Sequence, residues 1–286
     1  MDPGILFFIW RKSKSRTCIF NLCPLLVVLI SAIFFFSSCV NNDAKPVPRR
    51  EVSVYNERII PAVSPYELSI ECDYGNFEFY NWDKKEVKFE ITHKVRAGRM
   101  KTELDKMLER FSISTSEEAG KISLKCNYNG KDGNYEDTFS VVRIFMPGKS
   151  SFIDCTLSHG KLKFFDDLNC GLKLDVGNAE VEINRLKGIV KYTGKTGNLR
   201  ISSGEIYSDS SIVTSTGNIR VKSCFESPGQ YTFNTGAGII ELDLPADLNA
   251  VIESNGKITA NEASGSDPCS KFLLKCGVGK IDINRF

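Results

Sequence analysis

From Gly171 to the C-terminus one short phrase recurs: a glycine or asparagine turn, then alternating apolar and polar residues. Gly177-Asn178-Ala179-Glu180-Val181-Glu182-Ile183 opens the series, and Gly197-Asn198-Leu199-Arg200-Ile201 and Gly217-Asn218-Ile219-Arg220-Val221 follow. Three more copies begin at Gly236, Asn255 and Gly277. The alternation gives the inward pairs Ala179/Val181, Leu199/Ile201, Ile219/Val221, Ile240/Leu242, Ile258/Ala260 and Ile281/Ile283. Their first members are 20, 20, 21, 18 and 23 residues apart. A period near 20 with strand-type alternation predicts a solenoid, in which each coil buries its apolar edge on the next.

Glycine and asparagine tolerate positive φ, so the chain can bend sharply at these turns. Weaker strands lie between the copies, at Gly188-Ile189-Val190-Lys191, Gly204-Glu205-Ile206-Tyr207 and Ser211-Ile212-Val213-Thr214. The expected fold is all-β: a single-stranded, right-handed parallel β-helix with coils of about 20 residues and one inserted helix. Seven or so coils stacked about 4.8 Å apart make a rod on the order of 35 Å long.

The chain has 286 residues and a net charge of +2. Residues 1–38 hold Arg11, Lys12, Lys14 and Arg16 against Asp2, which leaves the rest at −1, from 33 Lys and Arg and 34 Asp and Glu. That balance does not ask for nucleic acid. The basic run, the apolar stretch from Ile19 to Phe36 and the ending Phe36-Ser37-Ser38-Cys39 have the order of an export signal. Two small residues before a cysteine resemble a bacterial lipobox, which implies cleavage before Cys39 and lipid on that residue. Two other readings stand beside it: an uncleaved anchor, whose 18 residues of helix would span about 27 Å, and an ordinary cleaved signal. Residues 39–50 carry two prolines and read as a tether, with the folded domain at 51–286.

The first coil is expected within Glu67 to Val95. From Arg99 to Arg110 the pattern changes: Met100, Leu104, Met107, Leu108 and Phe111 fall on one face of a helix, which would cover a solenoid end or side. In the loop Asn129 to Asp137, the acids Asp132, Glu136 and Asp137 lack the regular spacing of a calcium loop. A solvated turn is the favoured reading there.

A Gly-Asn coil, the Trp82-Asp83-Lys84 turn, an acidic and basic helix, a strand ending in Met146-Pro147-Gly148, and Gly-Asn coils with a period of 20 succeed one another. In that order the chain resembles the bacterial putative-adhesin family of extracytoplasmic β-solenoid domains, related to the head domains of auto-transporter adhesins, over roughly Val52 to Phe286. The resemblance implies a fold and an envelope location, and it supplies no catalytic residues.

Ten cysteines are present. Without Cys18, Cys23 and Cys39 seven remain, an odd number, and no CxxC occurs. With only His93 and His159 for company, a zinc site is not expected, and no cofactor is. Buried free thiols are the favoured state, with Cys269–Cys276 the best-placed pair for a disulfide. The carboxylates Asp166, Asp167, Asp175 and Asp209 are the candidates for a polysaccharide-cleaving site, but tight coils offer little loop to build one. Asp166-Asp167 reads as a turn, and the chain as no enzyme. Outward residues Glu180, Arg200, Arg220 and Glu241 should stack on successive coils, and an anionic ligand could bridge Arg200 and Arg220. Tyr192 and Tyr207 lie nearby and complete the possible ligand face. The expected role is a lipid-anchored envelope scaffold that binds a polymer or a protein. The alternative is a signalling accessory that meets a membrane partner through the helix.

Overall fold

The computed structural model describes residues 48–131, 137–148, 150–255, 258–260 and 270–286. Cys39, Asp132, Glu136 and Cys269 therefore lie outside the described residues, and so do the readings placed on them. Among the described residues the chain is all-β with one short helix. The elements run β1 (Arg50–Pro61), β2 (Tyr66–Trp82), β3 (Glu86–Ala97), α1 (Lys101–Leu108), β4 (Phe111–Glu118), β5 (Lys121–Tyr128), β6 (Thr138–Pro147), β7 (Ser150–Leu168) and β8 (Gly171–Gly188). Then come β9 (Val190–Thr196), β10 (Leu199–Ile201), β11 (Gly204–Ile206), β12 (Ser210–Thr216), β13 (Ile219–Lys222), β14 (Cys224–Phe225), β15 (Gln230–Leu244), β16 (Ala250–Ser254), β17 (Ile258–Ala260) and β18 (Ser270–Arg285). No described helix is long and apolar enough to cross a membrane.

β8 shows how alternation becomes architecture. Leu172, Leu174 and Val176 are buried, then the parity slips at Gly177-Asn178, and Ala179, Val181 and Ile183 are buried. It slips again at Asn184-Arg185 before Leu186. Each slip is a corner, so one long strand lays down three short sides. The first side pairs in parallel with β9 and the second with β10. β9 continues to β12, β10 to β13, and both meet again on β15. These parallel ladders close a ring of six strands, β8-β9-β12-β15-β13-β10. A third, shorter side joins β11 to β8 and β14.

Along the second side the inward residues pair as Leu162, Val181, Leu199, Ile219, Ile240 and Ile281, at chain offsets of 19, 18, 20, 21 and 41. The first pair of the series is thus Val181/Ile183, two residues beyond the expected Ala179/Val181; Ala179 is buried at the corner instead. The doubled last offset has a cause. β18 pairs with β15 on one edge and with β16 and β17 on the other. β16 and β17 therefore lie outside β18, not between β15 and β18. The same inversion occurs at the other end, where β2 pairs with the later strands β5 and β6 on one edge and with β7 on the other.

The core is one column of apolar side chains through these layers. Phe79 and Phe164 stack at 4.1 Å, and Tyr231 and Phe272 at 4.9 Å. Like residues from successive layers thus meet face to face, and each buried aromatic contributes about 1.5–3 kcal/mol. A smaller core of Val95, Ala97, Leu104 and Met107 holds α1 against β3. The helix, two residues shorter at each end than the sequence pattern, is a side cover. β1, β3 and β6 are joined antiparallel, and β6 then joins the parallel layers through β2.

The corner between the first two sides is a column of Gly75, Gly160, Ala179, Gly197, Gly217, Gly238 and Gly279. Five of these glycines have φ between +131° and +150°. The asparagines of the repeat do something else: no asparagine is among the described positive-φ residues. Asn198 Oδ1 accepts from the Asn218 N–H at 2.9 Å, and Asn218 Oδ1 accepts from the Ile239 N–H at 2.9 Å. Each asparagine thus satisfies a backbone donor on the following layer that the corner leaves unpaired.

Candidate functional site

The second side exposes its outer face across an eleven-strand sheet, in the order β1-β3-β6-β2-β7-β8-β10-β13-β15-β18-β17. One outward row crosses it in register: Glu57, Glu90, Arg143, Glu78, Lys163, Glu182, Arg200, Arg220, Glu241 and Asp282. Signs alternate through most of it. Arg143 meets Glu78 at 3.2 Å, Lys163 meets Glu182 at 3.1 Å, and Arg220 meets Glu241 at 2.7 Å. Such exposed pairs contribute at most about 1 kcal/mol each.

The alternation fails at Glu57/Glu90, at Glu241/Asp282 and at Arg200/Arg220, the one place where two cations adjoin. The register partners of Arg200 are Glu182 and Arg220. Glu182 is held by Lys163, and Arg220 is a like charge. Glu180, expected opposite Arg200, instead pairs with Lys161 at 2.6 Å. Arg200 makes no ion pair among the described residues and is exposed. It borders a shallow depression of about 260 Å³ shared with Glu182, Asn198, Asn218 and Arg220. Of the two tyrosines placed beside it from sequence, Tyr192 is 1 % exposed and lies in the core, so it cannot present a ring to a ligand. Its parity matches that of buried Val190 on β9. Tyr207 is half-buried in the turn after β11, off this row.

The same face carries a feature the sequence reading missed. Tyr80 stacks on Phe165 at 4.9 Å and on Phe145 at 5.3 Å, and Phe145 tilts against Trp82 at 5.7 Å. The rings stack on one another, so they turn edges to solvent and leave little flat platform for a sugar. Lys163 lies over Phe165 at 4.7 Å, and Lys88 over Phe145 at 4.6 Å. The outward parity of Tyr80 and Phe145 was the available signal. Beyond Trp82 a groove of about 710 Å³ runs between Pro61, Val63, Lys84, Lys85 and Pro147.

The candidate carboxylates do not converge. Asp166 Oδ2 accepts from the Asn81 N–H at 2.7 Å, and Asp167 lies 3.6 Å from Arg185. Both lie within β7, at an irregularity of the β7–β8 ladder, where a turn was expected. Asp175 belongs to the first side, in register with Thr193, and Asp209 forms a positive-φ turn before β12. Among the described residues no group of three or more His, Cys, Asp and Glu could hold a metal. Cys72, Cys126, Cys155, Cys170 and Cys276 are buried free thiols, and Cys224 is exposed.

His93, on β3, is the one buried imidazole. Its Nδ1 lies 2.8 Å from Ser140 Oγ, its ring stacks on Phe111 at 4.3 Å, and its Nε2 has no partner. Burial brings its pKa down to about 4. The unfolded chain, near 6.5, therefore binds a proton that the folded chain refuses between those values. Stability is complete above about pH 6.5 and falls by up to roughly 3 kcal/mol as pH drops toward 4. His93→Gln should flatten that part of a plot of urea midpoint against pH by about one proton; an unchanged slope would assign the acid lability elsewhere.

No family model matches the chain, and no curated protein matches it. Among solved structures it is similar to a putative cell adhesion protein from Clostridium sporogenes, at 15 % identity and a TM-score of 0.39, over 82 % of this chain and 100 % of that one. It is also similar to a putative adhesin from Bacteroides fragilis, at 13 % identity and a TM-score of 0.39, over 80 % of this chain and 97 % of that one. A putative lipid binding protein from Parabacteroides distasonis follows at 12 % identity and a TM-score of 0.23, over 80 % and 96 %. Scores of this size leave the fold to be argued from the strand pairings.

Proposed function

We propose that the chain is a lipid-anchored protein of the bacterial cell envelope whose layers form a right-handed parallel β-solenoid, and that it is a non-catalytic binding scaffold. One observation carries the binding reading: Arg200 and Arg220 stand side by side on adjacent layers, and the carboxylate that should neutralise Arg200 is already taken by Lys163. On a face where most charges are paired in register, this leaves a cationic spot. Arg220 meets Glu241 through Nε, so its Nη groups and the guanidinium of Arg200, on strands about 4.8 Å apart at their backbones, suit a carboxylate or phosphate that accepts from both. Ligands with a repeated anionic group, an envelope polymer or an acidic protein segment, fit a flat rigid sheet better than a small molecule in an open depression does. The anchor reading rests on the Phe36-Ser37-Ser38-Cys39 stretch.

Polygalacturonate serves as the probe. Titration at low salt should give saturable binding that weakens as salt rises, and Arg200→Ala with Arg220→Ala should reduce affinity at least about tenfold, close to 1.4 kcal/mol. Equal affinity in the double variant would remove the site. Intact mass of the membrane-extracted chain checks the anchor: the mass of residues 39–286 plus acyl chains is expected, and an unmodified full-length chain would overturn it.

A further inference from the structure

Five described strands, β1, β4, β14, β16 and β17, each pair with one other strand only, and β14, two residues long, offers little edge. β4 is eight residues long, exposed along most of its length, and ends in Glu117 and Glu118. β16 and β17 are five and three residues long. Short length and charge both discourage pairing with another chain. β1 is not short, and its charges, Arg50, Glu51, Glu57 and Arg58, are of both signs. It runs for 12 residues, pairs only with β3 among the described strands, and exposes Val54, Tyr55 and Ile59 at 40, 57 and 50 %. Arg58 Nη1 donates to the Glu57 carbonyl at 2.8 Å, which places that carbonyl on the open edge. By strand alternation the N–H and C=O of Glu51, Ser53, Tyr55 and Ile59 point the same way.

We propose that this edge is a self-association site, where β1 pairs antiparallel with β1 of a second copy across a two-fold axis normal to the sheet. The choice of partner follows from the residues along the edge. Such an axis keeps like faces together, so a residue of β1 must lie opposite itself at the centre. Centred on Val54, the pairing sets Arg50 against the partner's Arg58 and Glu51 against the partner's Glu57, two repulsive pairs made twice over. Centred on Tyr55, it sets Val52 against the partner's Arg58 and Glu51 against the partner's Ile59. Centred on Asn56, the like-charge pairs disappear and fewer apolar residues face a charge than in the register centred on Tyr55. Val52 faces the partner's Ile60, Ser53 the partner's Ile59, and Tyr55 the partner's Glu57; two apolar residues face a charge, Val54 the partner's Arg58 and, at the strand end, Pro61 the partner's Glu51. Tyr55 already donates to Glu57 within one chain, at 3.1 Å, so the same groups can meet across the axis. The outward-pointing residues Ser53, Tyr55, Glu57 and Ile59 then exchange about eight backbone hydrogen bonds. The eleven-strand sheet becomes one sheet of twice the width, and the two Arg200 faces lie on the same side of it. Two anion sites on one surface would bind a repeating polymer by avidity, but the dimer itself does not depend on that reading.

Sedimentation equilibrium of the purified full chain, at tens of micromolar, should give twice the chain mass. Ser53→Pro removes one outward N–H at an edge, where proline is tolerated, and should weaken self-association at least tenfold with an unchanged circular dichroism spectrum. Ile59→Lys, at an exposed position, should do the same and covers the case in which Ser53→Pro does not fold. Asn56→Cys should form a disulfide-linked dimer under mild oxidation while Tyr55→Cys does not, with the parent chain and its exposed Cys224 as the control. A chain that is monomeric throughout, or a dimer indifferent to both substitutions, overturns the proposal. So does a monomer whose β1 amides resist hydrogen exchange, which would mean that another part of the same chain covers the edge.

Discussion

Gly217→Ala should lower the stability of the folded chain by about 4 kcal/mol, a large share of the roughly 5–15 kcal/mol that holds a domain together. Gly217 has φ +141°, a conformation nearly closed to residues with a side chain. A Cβ there would lie 1.7 Å from the Gly197 carbonyl oxygen and 2.7 Å from its carbon. Those atoms are backbone of the neighbouring layer, so relief requires moving the layer. Strain of about 1–3 kcal/mol adds to an overpacking cost of similar size. Gly148→Ala is the matched control: a Cβ there meets only the Asn81 side chain, no nearer than 3.9 Å, and the change should stay within about 0.5 kcal/mol. Urea midpoints of the two variants decide the point. If they coincide, the glycine column is incidental to the corner.

That column also shows which parts of the fold can be read from sequence. The repeat is legible because alternation and glycine are local signals, and Leu199, Ile219 and Ile240 pair as the period predicts. The role of asparagine is not local. Asn198 and Asn218 each bond to the layer that follows, which no single turn reveals. The first inward pair was displaced by two residues for a related reason. Gly177-Asn178 precedes the corner, which Ala179 occupies, so the motif and the bend are out of step in that layer. Counting from the motif consequently sets Glu180 against Arg200, where the ladder has Glu182. For Tyr192 the signal was present: its parity with Val190 sends it inward, and tyrosine's polar hydroxyl suggests exposure only when parity is ignored. The row of outward aromatics at Tyr80, Phe145 and Phe165 needs the pairing of distant strands, since these residues become neighbours only across layers.

The order of the layers is where sequence gives no guidance at all, because Ile258 and Ile281 are chemically interchangeable as layer residues. The structure places β18 inside the stack, and this has a large consequence. A chain ending before Ser270 should lose more than its last layer. In a stack that followed chain order, such a truncation would leave β16 and β17 seated on β15. Here β15 loses its neighbour from Gln230 to Leu244, and β16 and β17, which pair with β18 alone, lose every partner. Phe272, Leu274, Ile281 and Ile283, all fully buried, go with it. At about 1.5–3 kcal/mol each, these four side chains account for some 6–12 kcal/mol, comparable to the whole stability of a domain. Truncation should therefore leave a chain that is unfolded or aggregated, or one whose surviving layers end at β12 and β13. Hydrogen exchange separates the two layer orders within a folded remnant. The inverted order predicts that amides of 250–254 exchange at unprotected rates in the truncated chain and are protected in the full one. Protection of 250–254 without β18 would show that this segment rests on β15 directly. The C-terminal strand would then be an outer layer, removable on its own.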